Sequence, residues 1–144
     1  MGGPGCYSYV GQIRGKGQEI NLGSPACLYL GMVLHETLHG LGRPCLHSFP
    51  HKRRQLHIFF ISSGAVHEQS RPDRDYYVSI LMENVQPDKQ HNFRKASNDT
   101  HSGRGTPFDP HSIMIYGPKD FGIQDGSGNR KTTLQPRDPQ VEIR

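Results

Sequence analysis

The residues best suited to chemistry in this sequence form a five-residue motif, HETLH, at positions 35–39. Two histidines four positions apart lie on one face of an α-helix, about one turn from each other. Both imidazoles can then bind one metal ion at about 2.0–2.1 Å, the zinc–nitrogen distance in proteins. Glu36 can act as general base toward a metal-bound water, whose pKa zinc lowers to about 7. The motif predicts a zinc hydrolase site at His35, Glu36 and His39, although so short a match also arises by chance.

The residues after the motif bear on a third ligand. Gly42 lies three positions after His39, and a glycine in the left-handed conformation there ends a helix and turns the chain back. The extended signature HExxHxxGxxH has its third histidine at the position of Cys45 in this chain. A thiolate can bind zinc, at about 2.3 Å. Cys45 and His47 are therefore both candidates for a third ligand.

Hydrophobic spacing and turn residues predict the elements that hold this motif. Leucines at helical spacing predict a helix over 28–41 that ends before Gly42. Two short alternating runs, CYSYVG at 6–11 and QEINLG at 18–23, predict two strands joined by a glycine-rich turn. For the rest of the chain we expect a strand or short helix over 76–85, loops over 86–112, a compact apolar turn at 112–117, and little regular structure from 118 onward.

Composition narrows the class of protein. The chain has 144 residues, a formal net charge of +4, three cysteines and 33% hydrophobic residues. Its length suits one domain, and no apolar run approaches the roughly 18 residues of a membrane span. The start of the chain lacks the basic and apolar regions of a signal peptide. The charge is small for a nucleic-acid-binding protein, and we expect no nucleic-acid partner. A basic interaction module at residues 52–54 is a competing hypothesis, but such a run is usually solvated surface.

Several segments, in the same order, resemble the astacin family of metzincin zinc metalloendopeptidases. HEQSRPDRD at 67–75 is similar to the family segment that carries the third zinc histidine, and SIMIYG at 112–117 is similar to its Met-turn. Joining Gly42 to Ala65 restores the family spacing GxxHEQSRPDRD. Four further segments also look like family elements, namely residues 5–11, 27–29, 91–93 and 105–109.

The resemblance implies an α+β fold, namely a metzincin catalytic domain with an active-site helix and a Met-turn, truncated at both ends. It also implies that His35, His39 and His67 bind one Zn²⁺ ion per chain and that Glu36 is the base. Tyr116 would bind the resting zinc and swing away to stabilise the oxyanion, a role that suits a phenol donor.

The resemblance assigns structural roles as well. Met114 would form the apolar floor beneath the ion, and Cys6 and Cys27 would pair in a disulfide, which fits a secreted protein. The family's mature N-terminus contacts the glutamate that corresponds to Glu68, so the truncation leaves Glu68 without that partner. An unpaired buried carboxylate would cost several kcal/mol, on the order of that for a broken buried ion pair.

Residues 43–64 are then an insert between the second and third zinc ligands of a single partial domain, 1–144. The insert carries four basic residues, no acidic ones, and Cys45. Without it the chain has 13 basic and 13 acidic residues, so the net charge falls to zero, and two cysteines remain. We favour an insert that bulges out so that His67 reaches the metal. Cys45 or His47 as the third ligand, and no third ligand, are the alternatives.

The HETLH motif and the family resemblance together predict a zinc-dependent metalloendopeptidase that hydrolyses peptide bonds in protein or peptide substrates, with the zinc-bound water activated by Glu36. The insert and the truncation define the alternative, a catalytically inactive fragment or pseudoenzyme of the same family that binds zinc weakly. The composition of the insert suggests a further hypothesis, that it is translated non-coding sequence such as a retained intron.

Overall fold

A computed structural model describes residues 5–13, 17–41, 66–97 and 106–143. Their regular elements are strands and one α-helix, joined by short 3-10 helices, which confirms the predicted α+β class. In chain order they are β1 (Cys6–Ser8), β2 (Ile20–Leu22), α1 (Leu30–Gly40), β3 (Val78–Ile80) and β4 (Leu134–Pro136). The chain divides into a first unit, Met1–Val66, and a second unit, His67–Arg144. Among the described residues, no helix has the length and apolar character needed to cross a membrane.

In the first unit, β1 and β2 form an antiparallel pair in which Cys6 faces Leu22 and Ser8 faces Ile20. Both predicted strands are therefore present. A disulfide joins Cys6 to Cys27, with the two Cα atoms 5.6 Å apart, within the usual range for such bridges. The pairing implied by the family resemblance is confirmed, and it ties the first strand to the turn that precedes the helix.

Helix α1 begins two residues later than predicted. Residues Pro25–Cys27 form a separate 3-10 helix, and the Ser24 hydroxyl caps it by accepting the N–H of Ala26. Tyr29 then has extended backbone angles, so the helix begins at Leu30. This separate turn uses the proline at its first position, where its missing N–H costs nothing.

The end of the helix lies close to residues around the strand pair. The N–H of Gly11 donates to the carbonyl of His39 over 2.8 Å. A Cβ atom at Gly40 would lie 3.3 Å from the Gln18 amide nitrogen and 3.4 Å from the Ser8 hydroxyl. A glycine at position 40 therefore lets the helix end approach these two polar side chains.

The second unit is organised around β3 and β4, which pair antiparallel with Val78 opposite Pro136. A buried apolar cluster lies against this pair; it consists of Val78, Phe108, Ile115 and Leu134. The expectation of little regular structure after residue 118 is wrong at β4. The strand has only three residues, and its partner lies more than 50 residues earlier, so no local pattern marks it.

The remaining expectations for the second unit are met in part. The segment over 76–85 contains both β3 and a 3-10 helix, Met82–Asn84. A longer 3-10 helix, Pro87–Phe93, stands where we expected loop, and Phe93 at its end is buried. Residues 112–117 form the predicted turn, in which the N–H of Ile115 donates to the carbonyl of Ser112.

Candidate metal centre

Helix α1 presents the two histidines of the HETLH motif side by side. Their Nε2 atoms are 3.1 Å apart, and the ring planes meet at 85°. Two nitrogens that bind one tetrahedral zinc at 2.0–2.1 Å are separated by about 3.3 Å. The pair His35 and His39 therefore has the spacing of two ligands to a single ion, as the i, i+4 spacing predicts.

Glu36 is buried, with 3% of its surface exposed. Its Oε2 atom is one of two buried side-chain polar atoms, among the described residues, that lack a hydrogen-bond partner. Burial raises the pKa of Glu36, and the neighbouring charge of His35 opposes that rise. A buried carboxylate with a free oxygen and a raised pKa suits a general base, because proton transfer is most efficient near the working pH.

The helix ends before the segment that carries the insert. Leu41 has extended backbone angles, and its N–H donates to the carbonyl of Thr37. The predicted helix-ending glycine, Gly42, lies outside the described residues. The same holds for the insert at 43–64 and for the alternative ligands Cys45 and His47.

In the second unit, the segment that begins at His67 pairs with the turn that contains Met114. The N–H of Glu68 donates to the carbonyl of Met114 over 3.0 Å. The N–H of Tyr116 donates to the side-chain oxygen of Gln69 over 3.1 Å. Met114 itself is buried, with 5% exposed. The third candidate histidine and the predicted Met-turn are therefore parts of one hydrogen-bonded arrangement.

Aromatic rings surround the side chain of Tyr116. Its ring centroid lies 4.4 Å from that of His67, 5.2 Å from Phe121 and 5.6 Å from Phe93. Phe121 has a φ of 56°, a left-handed conformation that is unusual for a bulky residue. The second unit thus holds the predicted metal ligand and the predicted oxyanion donor in direct ring contact.

Glu68 is paired, contrary to the expectation that it lacks a partner. Its Oε1 accepts from the Arg71 guanidinium over 3.0 Å and from the N–H of Asp109 over 3.0 Å. Arg71 also binds Asp73 and the carbonyls of Thr106 and Pro107. The hydrogen bond to Asp73 chiefly, together with the charge of Glu68, raises the pKa of Arg71. The cost expected for an unpaired Glu68 therefore does not arise.

A second arginine supports the same segment. Arg74 is buried, with 8% exposed, and its guanidinium donates to the carbonyls of Gln69 (2.7 Å) and Phe93. Its Nε also donates to Oδ1 of Asp75, and Lys95 forms an ion pair with Oδ2 of the same carboxylate. Arginine suits such multiple contacts better than lysine would, because the donors of a guanidinium have a fixed geometry.

Three residues of this arrangement are not predicted from the sequence, namely Gln69, Arg71 and Arg74. All three are buried polar residues in a segment that appears only polar and rich in turns. Gln69 is fully buried, and nothing in its spacing predicts that. The density of Arg and Asp over 71–75 is the one available signal, because buried charges must be paired.

Three histidines, His35, His39 and His67, each offer a ring nitrogen to a metal ion. Neutral imidazole is a common zinc ligand, and three protein ligands with one open position are typical of catalytic zinc. Glu36 is buried and lies between the two helix histidines in sequence. Helix α1 therefore carries two candidate donors and a carboxylate, residue types that fit a zinc site.

Comparisons with known proteins identify the family. A sequence model of the peptidase family named Astacin matches residues 1–63 and 55–143. Together the two ranges span nearly the whole chain. The chain belongs to the astacin family.

Relatives are similar along nearly the whole chain. Blastula protease 10 of Paracentrotus lividus is 36% identical over 142 residues, which is 99% of this chain and 19% of that protein. Zinc metalloproteinase nas-13 of Caenorhabditis elegans is 38% identical over 139 residues, 96% of this chain and 24% of that protein. The chain thus spans about a fifth of the length of these relatives.

A solved structure agrees with the fold. High choriolytic enzyme 1, a hatching-enzyme zinc protease from Oryzias latipes, has a TM-score of 0.73 and 33% sequence identity. The match covers 99% of this chain and 57% of that one. The fold is therefore that of an astacin domain, and zinc is the metal named for both this relative and nas-13.

Proposed function

We propose that this chain provides the active site of a zinc-dependent metalloendopeptidase that hydrolyses peptide bonds in protein substrates. The observation that carries the proposal is the arrangement on helix α1. Two histidine nitrogens lie 3.1 Å apart, and Glu36 between them in sequence is buried with an unpaired oxygen.

The proposed ligands are His35, His39 and His67. The first two are supported by their spacing, and His67 by its similarity in sequence context to the family's third ligand. Its ring contact with Tyr116, 4.4 Å between centroids, further supports a role near the reaction. When bound, zinc would polarise the substrate carbonyl and lower the pKa of the attacking water.

The remaining chemistry belongs to side chains of this chain. Glu36 accepts a proton from the attacking water and returns it to the leaving amine, as general base and then acid. Tyr116 donates a hydrogen bond from its phenol to the oxyanion that develops on the substrate carbonyl. Met114 takes no part in the chemistry; its proposed role is that of an apolar packing residue, which its burial supports.

Glu36→Gln tests the proposal with little change in shape. We expect zinc-dependent cleavage of denatured casein to fall between about a hundredfold and ten-thousandfold, the range for loss of a general base. Zinc stoichiometry should stay at one per chain. Glu19→Gln is a matched control outside the motif and should leave activity unchanged. Cleavage by the Glu36 variant at the wild-type rate would refute the assignment.

A second candidate function is zinc binding without catalysis. It is supported by the distance in sequence between His39 and His67. It is also supported by the division of the family match into two ranges, 1–63 and 55–143, which overlap over residues 55–63. Both observations fit an insert at 43–64 that disturbs the third ligand. Measuring zinc affinity and casein cleavage with and without residues 43–64 separates the two functions, since only an inactive chain would gain activity on deletion.

The disulfide supports secretion, because such bridges persist in oxidising compartments. We propose that the protein acts outside the cell. Detection of the Cys6–Cys27 bridge in protein collected from culture medium, after alkylation of free thiols, would support this location. Retention of the protein in the reducing cytosol with both thiols free would contradict it.

A further inference from the structure

We propose that Gln69 is a positioning residue for the reaction, one that holds the backbone of Tyr116 in register with the segment of His67. The inference rests on the proposed function. It gives a buried, fully enclosed amide a role that no sequence motif assigns to it.

The segment of His67 and the segment of Tyr116 are joined by two successive hydrogen bonds of different kinds. The N–H of Glu68 reaches the carbonyl of Met114 by an ordinary backbone bond of 3.0 Å. Two residues further on, the partner of the Tyr116 N–H is the Oε1 atom of Gln69, at 3.1 Å. The side-chain amide of Gln69 therefore takes the place of a second backbone hydrogen bond between the two segments. The length of the Gln69 side chain sets the separation of the segments at this point.

Gln69 is enclosed by the protein, and its backbone is anchored by a buried arginine. Gln69 has no exposed surface, and its backbone carbonyl accepts from the Arg74 guanidinium over 2.7 Å. Arg74 in turn binds the carbonyl of Phe93, whose ring lies 5.6 Å from that of Tyr116. One buried guanidinium thus fixes both the residue that holds the Tyr116 backbone and a ring beside the Tyr116 side chain.

The proposed role of Tyr116 requires an exact position of its phenol. A phenol that donates to a developing oxyanion must lie at hydrogen-bond distance from it in the transition state, and small displacements lower the rate steeply. Its backbone is the base from which the ring extends. Gln69 is proposed neither as a ligand nor as a substrate contact, so its effect must pass through Tyr116.

A double-mutant cycle tests this dependence. Gln69→Met keeps the length of the side chain and removes the acceptor; we expect kcat on a fluorogenic peptide to fall between about tenfold and a hundredfold with little change in KM. In a Tyr116→Phe background the same substitution should lower kcat less than about twofold, because the phenol it positions is gone. Additive losses in the cycle would overturn the proposal.

Two further variants separate positioning from general damage. Gln69→Glu keeps an oxygen acceptor at the same length and should retain more of kcat than Gln69→Met. Asn84→Leu is the control, since it removes a part-buried hydrogen bond from Asn84 to the Thr132 carbonyl (2.7 Å) elsewhere in the second unit. A loss of kcat in Asn84→Leu equal to that in Gln69→Met would overturn the specific role.

Amide hydrogen exchange gives a readout that does not depend on turnover. Protection of the Tyr116 amide should fall in Gln69→Met while that of the Glu68 amide remains; unchanged protection at Tyr116 would overturn the proposal. An inactive wild type with the predicted exchange pattern would refute the proposed peptidase function. An active wild type with additive losses would refute the role of Gln69 alone.

Discussion

The two units of this protein keep their functional residues in place by different means. Among its described residues, the first unit buries one hydrophobic side chain, the small Cys27. Ten large hydrophobic residues in the described ranges of this unit are exposed, namely Tyr7, Tyr9, Val10, Ile13, Ile20, Leu28, Tyr29, Leu30, Leu34 and Leu41. In the described part of the second unit, seven hydrophobic residues are buried, namely Val78, Val85, Phe93, Phe108, Met114, Ile115 and Leu134.

This difference changes what stabilises each part of the candidate site. Burial of apolar surface, about 25 cal/mol per Å², can hold the Met-turn and the segment of His67. Helix α1 has little of that support; the disulfide precedes it in the chain, and a backbone hydrogen bond from Gly11 to His39 ties its last turn. Its 11 residues are also too few for a stable isolated helix in water.

Core truncation should produce the largest effect if the second unit is stabilised by packing. Leu134 has no exposed surface, and we expect Leu134→Ala to lower the free energy of unfolding by about 2–5 kcal/mol. The same change at Leu30, which is 72% exposed, should cost less than about 0.5 kcal/mol. Hydrogen exchange of peptides from each unit measures both. Similar costs at the two sites would abolish the contrast between the units.

Loss of the disulfide should damage the first unit alone. Cys6→Ser opens a loop closed over a sequence separation of 21 residues, and we expect it to cost between about 2 and 4 kcal/mol. Exchange should accelerate in peptides from α1 and remain slow around β3 and β4. Cys45→Ser is the control, because it removes the cysteine outside this bridge. Faster exchange throughout the second unit would show that the units do not unfold separately.

Bound zinc should stabilise the first unit, which has little buried apolar surface. A ligand at a concentration of about 100 times its Kd stabilises the state that binds it by about 2.7 kcal/mol. We expect slower exchange in peptides from α1 when zinc is added, and no such gain in His39→Ala. Leu41→Ala, at an exposed position beyond the helix end, is the control and should keep the full gain. If saturating zinc left hydrogen exchange in α1 unchanged, the ligand assignment would be contradicted.

Different parts of this structure are predictable from sequence for different physical reasons. The HETLH motif and the leucine spacing predict α1 and its histidine pair, since a helix places residues i and i+4 together by geometry alone. Strand β4 is not predictable, because its partner β3 is distant in the chain. The burial of Gln69 is not predictable for a related reason, because its partner, Tyr116, lies 47 residues away. Hydrophobic patterning also carries no information on buried amides.

The smallest expected effect distinguishes surface charge from the buried network of the second unit. The hydrogen bond from Lys95 chiefly, and that from Arg74, lower the pKa of Asp75 against the opposing effect of burial. A lowered folded-state pKa stabilises the fold above the unfolded value of about 3.9 and ceases to do so as pH falls through the folded value. Because Asp75 is half exposed, solvent screening keeps the contribution below about 1 kcal/mol.

Asp75→Asn should therefore lower stability slightly at about pH 6 and have no effect once the wild-type carboxyl is protonated in strong acid. Acid titration of the unfolding free energy measures the difference between the two proteins. Lys89→Met, which breaks the exposed Lys89–Asp88 pair, is the control for a surface ion pair with no link to a buried arginine. If Asp75→Asn cost several kcal/mol instead, Asp75 would have to act through Arg74 on the carbonyls of Gln69 and Phe93, and surface charge would then help to hold the packed unit.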